Sequence, residues 1–200
     1  MLISIAGLPP SRLTVVAYDI GSSRRARAVR RVLDAVNHAK QYSVYEALLG
    51  PGELRRVLTE VRACCDLQSD RLVAWWPVGG VRLVWGRNGL QTEEQDGNAC
   101  GQPAHLNTNI GNFMLCFDIS NAAALRAVSA EIAAETAMVQ RSVYWLRAPI
   151  THLTALLKRC NTFLETGDRL WAYPLGASRA LWRMDEDTAP SLIPIATHHW

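Results

Sequence analysis

Two aspartates stand out as groups that could do chemistry. Asp19 and Asp118 each end an apolar run, in Tyr18-Asp19-Ile20 and Phe117-Asp118-Ile119, and lie 99 positions apart. A pair of carboxylates could hold a hard divalent cation such as magnesium, which activates water for phosphodiester hydrolysis. The same residues could instead cap neighbouring helix N-termini, where a carboxylate meets the positive end of the dipole. Their sequence neighbours, Gly21 and Ser120 among them, include no His, Lys or Glu. Two carboxylates alone leave most of a cation's coordination to water, so any metal site here is expected to be weak.

A second cluster is cationic. Arg24, Arg25, Arg27, Arg30 and Arg31 fall within eight residues, and Asp34 is the only acid within helical reach downstream. Like charges at this spacing repel by a few tenths of a kcal/mol per pair. A phosphate partner relieves that repulsion, so a nucleic-acid contact is one reading of the cluster and a solvated helix face is the other. Arg82, Arg126 and Arg179 are assigned to the same set. Five cysteines, Cys64, Cys65, Cys100, Cys116 and Cys160, show no Cys-x-x-Cys spacing, so buried reduced thiols are expected rather than zinc or a disulfide framework.

The elements that carry these residues occur twice. Gln41, Ser43, Val44 and Tyr45 return as Gln140, Ser142, Val143 and Tyr144. Asp70-Arg71-Leu72 returns as Asp168-Arg169-Leu170, and Pro77, Gly79, Arg82 and Trp85 return as Pro174, Gly176, Arg179 and Trp182. Ordered blocks with a slowly drifting offset are the mark of a duplication. Each copy reads as a buried strand, an amphipathic helix after Ser22 and Ser23, a hairpin-like stretch, a helix opened by Pro51, and two closing strands. That order is α+β and ferredoxin-like, βαββαβ. The expected organisation is a first repeat over 1–85, a linker over 86–111 and a second repeat with a C-terminal tail over 112–200. The antiparallel sheet of each copy has one face left to cover, so the two sheets are expected to pack face to face about a pseudo-two-fold axis. Trp85 and Trp182 are expected to pack symmetrically between the copies.

Composition narrows the class. The chain has 200 residues and a net charge of +3. The surplus is uneven: residues 1–85 hold 12 Lys and Arg against 7 Asp and Glu, while residues 112–200 hold 8 of each. No run approaches the 18 apolar residues of a membrane span, and Met1 to Pro10 lacks the basic start of a secretory leader. A cytoplasmic protein without membrane contact is expected.

The combination of Tyr18-Asp19-Ile20, the Arg-rich helix and Gln41-Tyr42-Ser43-Val44-Tyr45-Glu46 resembles the CRISPR-associated Cas-two family, here as a tandem, fused-dimer form. The likeness covers residues 13–85 closely and 113–182 more loosely. It implies a structural subunit of the CRISPR adaptation complex, one that bridges Cas-one integrase dimers and holds a double-stranded DNA prespacer. It also implies a monomer equivalent to the family homodimer. Some members of the family are credited with metal-dependent nuclease activity, which would fall to Asp19 and Asp118 as catalytic and metal-binding residues. The alternative is therefore a stand-alone endonuclease on RNA or DNA.

The second copy departs from the pattern. Ala123, Ala124, Ser129 and Ala130 stand where the first has arginines, with Arg126 opposite Arg27, and Trp145 replaces Glu46. Asymmetric duplex binding through the first copy follows. The C-terminal segment with Leu192 and Ile193 between two prolines and Ile195 after the second is assigned to partner binding, as a strand added to a partner's sheet edge.

Overall fold

The computed structural model describes residues 12–37, 39–41, 43–86, 89–93, 110–175, 180–184 and 193–194. In the first copy, β1 (Arg12–Asp19), α1 (Ser23–Asp34), β2 (Ala39–Gln41), β3 (Val44–Leu49), α2 (Pro51–Ala63) and β4 (Arg71–Trp75) follow in order. Then come β5 (Arg82–Gly86) and β6 (Gly89–Glu93). The second copy supplies β7 (Ile110–Asp118), α3 (Ala122–Ala133), β8 (Ala137–Gln140), β9 (Val143–Pro149), α4 (Ile150–Asn161), β10 (Arg169–Leu175), β11 (Ala180–Arg183) and β12 (Ile193–Pro194).

Local chemistry sets the helix starts. Ser22 Oγ accepts from the Arg25 amide, Asn121 Oδ1 accepts from the Ala123 and Ala124 amides, and the Gly50 amide donates to Glu53 Oε2. Ala26, Val29 and Leu33 then turn one face of α1 into the core beside Val57, Leu58 and Val61 of α2.

The two sheets are not assembled copy by copy. One runs β12-β11-β4-β1-β3-β2, the other β6-β5-β10-β7-β9-β8. The hairpin β5–β6 of the first copy joins the sheet of the second, and β11–β12 returns to the sheet of the first. Leu83 and Leu90 accordingly sit in the helix-side core of the second unit, and Met184 in that of the first. The expected linker over 86–111 is corrected here: Gly89–Glu93 within it is a strand, because Gly89 at φ 92° closes a tight hairpin and Leu90 has a core to enter.

The two sheets do lie face to face. Leu13, Val15, Ala17, Val44, Val73 and Trp75 of one meet Met114, Cys116, Val143, Trp171 and Tyr173 of the other in a single buried layer. α1 and α2 cover the far face of the first sheet, α3 and α4 that of the second. Trp85 is not in the shared layer, contrary to expectation. It packs on the helix-side core of the second unit; Trp75 and Trp171 are buried between the sheets, and Trp145 packs against that layer. The side chain of Trp182 lies outside the described residues. Among the described residues, no helix is long and apolar enough to cross a membrane.

Candidate nucleic-acid interface and the strand-end aspartates

The Gln-x-Ser-Val-Tyr motif acts through position rather than chemistry. The Ser43 carbonyl accepts from the Tyr18 amide, and the Ser142 carbonyl from the Phe117 amide. Each turn then sends Val44 or Val143 into the layer between the sheets and the next tyrosine to the helix side. There Tyr45 meets Tyr18 at 6.0 Å between ring centroids, and Tyr144 stacks on Phe117 at 5.7 Å. Burial pushes the Tyr45 hydroxyl well above its usual range and raises Tyr144 as well. The motif is a core element in both copies.

Strand alternation places both candidate aspartates on the inter-sheet face, each at the end of the central strand of its sheet. Asp19 follows Leu13, Val15 and Ala17 on that face, and Asp118 follows Met114 and Cys116. Each is opposed across the ladder by an arginine: Asp19 pairs in register with Arg71, and Asp118 with Arg169. Asp19 also meets Arg141 of the second copy at 3.9 Å. Desolvation raises the Asp118 carboxyl above the usual range, with Arg169 acting against the rise and Asp168 adding to it.

The residues around these aspartates do not fit a resident divalent cation. Arginines hold the register positions directly opposite, where side chains on one face approach within a few ångströms. Their positive charge, with that of Arg141 at 3.9 Å from Asp19, disfavours a further cation at this end of the strands. Among the described residues, no cluster of three or more His, Cys, Asp or Glu could hold a metal ion.

The arginines divide into two groups. Arg24, Arg27, Arg30 and Arg31 lie on the exposed side of α1 and make no ion pair among the described residues; Arg27 and Arg30 only reach back to backbone carbonyls one turn earlier. Residues 24, 27 and 31 form one stripe at i, i+3 and i+7, about 10 Å long at 1.5 Å per residue. Arg55 and Arg56 on the exposed side of α2, the helix packed beside α1, extend this outer layer. They escaped the sequence reading because they sit near Glu53 and Glu60 and form no run. On the second copy, Arg126 is exposed on α3, but the layer is otherwise balanced: Arg159 pairs with Glu131 at 2.9 Å and with Glu135, which also meets His152 at 2.5 Å.

Two of the assigned nucleic-acid contacts are corrected. Arg25 bends back to the start of β4, where its Nε and a terminal nitrogen donate to Asp70 at 2.7 and 3.1 Å. Arg82 is 7% exposed and points between the sheets. It donates to Glu46 at 2.7 Å and to Glu93 at 3.0 Å, and lies 4.4 Å over the Trp171 ring. Tyr173 completes the cluster by donating its hydroxyl to Glu46 at 2.8 Å. Glu46 comes from the first copy's sheet, Arg82 and Glu93 from the exchanged hairpin, and Tyr173 from the second copy. Once buried, these groups must satisfy one another, so none is available to a phosphate. The side chain of Arg179 lies outside the described residues.

The Asp-Arg-Leu block also has a structural role. Asp70 accepts from the Asp66 amide at 2.9 Å as well as from Arg25. Asp168 accepts from the Glu165 amide and from both the amide and hydroxyl of Ser120, each at 3.0 Å. In both copies, this carboxylate ties the turn before a strand to the partner group that starts the first helix. Of the tail residues, Ile193 lies in β12, which pairs with β11 of the same chain. β12 is the outermost strand of its sheet, paired on one side with β11 of the same chain, so the expected pairing with a partner's sheet edge concerns its other side. Leu192 and Ile195 lie outside the described residues.

The family model for the CRISPR associated protein Cas2 matches residues 12–76 and again 112–181. A protein of Nitrosomonas europaea named a CRISPR-associated endoribonuclease Cas2 is 43% identical over 60 residues, which are 30% of this chain and 53% of that protein. The chain thus spans about half the length of that relative. A similarly named protein of Synechocystis sp. is 30% identical over 78 residues, 37% of this chain and 84% of its own length. Among solved structures, a hypothetical protein from Thermus thermophilus is 32% identical, covering 36% of this chain and 85% of its own, with a TM-score of 0.33.

Proposed function

Because this chain belongs to the Cas2 family and carries two Cas2 regions in tandem, we propose that it is the duplex-holding, integrase-bridging subunit of a CRISPR adaptation complex, working as a single chain in place of a homodimer. The observation that carries this reading is the outer face of α1, where four exposed arginines have no acidic partner among the described residues. Such a surface suits the phosphates of a DNA duplex and carries no element that reads bases. The exchanged hairpins tie the two units into one body, which is what a bridge between two Cas-one integrase dimers requires.

The relatives named endoribonucleases raise hydrolysis as the other reading. Against it stands the positive charge near both aspartates: Arg71 and Arg169 hold the register positions across the ladder, and Arg141 comes within 3.9 Å of Asp19. The test is integration of a prespacer duplex by the reconstituted complex of this chain with a Cas-one integrase. The Asp19→Asn, Asp118→Asn double variant should integrate at near wild-type level. Loss of integration with assembly and DNA binding intact would make the aspartates catalytic and overturn the scaffold reading.

A further inference from the structure

The two exchanged hairpins are not seated alike. β11 zips onto β4 at Leu181↔Trp75, Trp182↔Ala74 and Arg183↔Val73, and the Met184 amide continues to the Leu72 carbonyl at 3.1 Å. β5 is paired with β10 only at Ala172↔Leu83. The duplication gives this difference a size. Trp85 is the counterpart of Trp182, and Ala172 that of Ala74. A hairpin seated like β11–β12 would set Trp85 opposite Ala172, but Leu83 stands there, two residues away. Beside this pair lies a cavity of about 550 Å³, with Trp85, Leu170 and Leu157 of α4 in its walls.

Both registers suit the sheet. A shift of two residues leaves every side chain on its own face. Leu83, Trp85 and Leu90 would therefore stay on the helix side, where they pack now. The chain is long enough for either register. Nine positions separate Ala74 from the residue that meets Ala172, against ten from Ala172 to the residue that meets Ala74; the shifted register would have eleven. The crossing into β5 is thus the tauter of the two. Gly79 within it, at φ 71°, and the adjoining Gly80 offer a hinge.

Something must hold β5 away from the longer ladder, and Arg82, the neighbour of Leu83, is placed to do so. Its guanidinium is fixed across the inter-sheet layer by Glu46 at 2.7 Å and rests 4.4 Å over the Trp171 ring. A shift of two residues would carry Arg82 about 7 Å along β10, out of reach of both. Glu93 belongs to the same hairpin and would travel with it, so the anchors are Glu46 and Trp171. The second copy has Trp145 in place of Glu46, and there the hairpin takes the longer ladder.

We propose that Glu46, acting through Arg82, is a register lock. It holds the β5–β6 hairpin two residues out of the register that the duplication encodes. Release of the lock lets the hairpin slide, pair along β10 and fill the cavity. β6 is the outermost strand of the second sheet, so the slide moves that edge by about 7 Å. The lock is independent of any nucleic-acid role.

The experiment is nuclear magnetic resonance of the full chain, read at the Ala172 methyl group. In the wild type its cross-strand Overhauser contacts should run to Leu83. Two variants release the lock. Glu46→Trp gives the first copy the residue of the second. The pair Glu46→Gln with Arg82→Met is milder: it leaves no unpaired charge on these two residues and keeps an acceptor for the Tyr173 hydroxyl, so it decides the matter even if Glu46→Trp does not fold. In both, the Ala172 contacts should move to the Trp85 indole, and hydrogen exchange at the β10 amides that face β5 should slow at least about tenfold. Retention of the Leu83 contact in the paired variant overturns the proposal. So does a Trp85 contact already dominant in the wild type, or a hairpin that detaches and makes neither contact.

Discussion

At the scale of residues, the charged groups fall into those that hold the fold and those that face outward. Asp70 belongs to the first kind. Burial pushes its carboxyl up, but hydrogen bonds from Arg25 and the Asp66 amide more than offset this and hold it below the usual range. Asp168 is lowered too, chiefly by the Glu165 and Ser120 amides. A carboxylate with a depressed folded-state pKa stabilises the fold above its unfolded value near 4 and loses that contribution as pH falls through the folded value. Asp118, raised by desolvation, runs the other way and favours the fold as it protonates. Asp70→Asn should therefore lower Tm by several degrees at neutral pH and flatten the decline of Tm below about pH 4, read by calorimetry across pH. A decline as steep as in the wild type would show that the Arg25–Asp70 pair contributes nothing. The sequence exposed Asp70 and Asp168 only as markers of the repeat, because the groups they bind lie on other elements.

At the scale of elements, the order of strands and helices was legible from periodicity, caps and turn residues, and the duplication from matched blocks. The strand exchange was not. A strand's partner is set by register across the chain, and no local pattern distinguishes β5 pairing with β10 from β5 pairing with β4. The same gap explains Arg82 and Glu93. Read alone, one is a surface arginine and the other a linker acid; paired across β5–β6 and beside Glu46, they form a buried lock on the hairpin. Removing Glu46 leaves the buried Tyr173 hydroxyl without its acceptor and Arg82 with Glu93 alone, a loss on the order of 3 kcal/mol. Glu46→Ala should destabilise by that order, and adding Arg82→Met should recover part of the loss, as measured by urea unfolding. Additive losses in the double variant would mean that the two residues do not act together.

At the scale of the molecule, two sheets back to back put the two helical layers on opposite outer faces, and the asymmetry already visible in the counts of Arg and Asp becomes a difference between faces. Because each unit is completed by a hairpin of the other, the chain has no unit left to share with a second copy, and light scattering should find a single 22.2 kDa species at low concentration; a stable dimer would contradict this. The central claim is that the α1 face carries the duplex. The most direct measurement is duplex affinity against salt concentration, for the wild type and for the variant with Arg24, Arg27, Arg30 and Arg31 changed to Ala. Each phosphate neutralised contributes about 0.9 to the slope of log affinity against log salt. The account predicts that the fourfold variant binds more weakly and that its slope falls by up to about 3.6, while Arg126→Ala changes it by no more than about 1. An unchanged slope in the fourfold variant, or equal losses from the two copies, would contradict it.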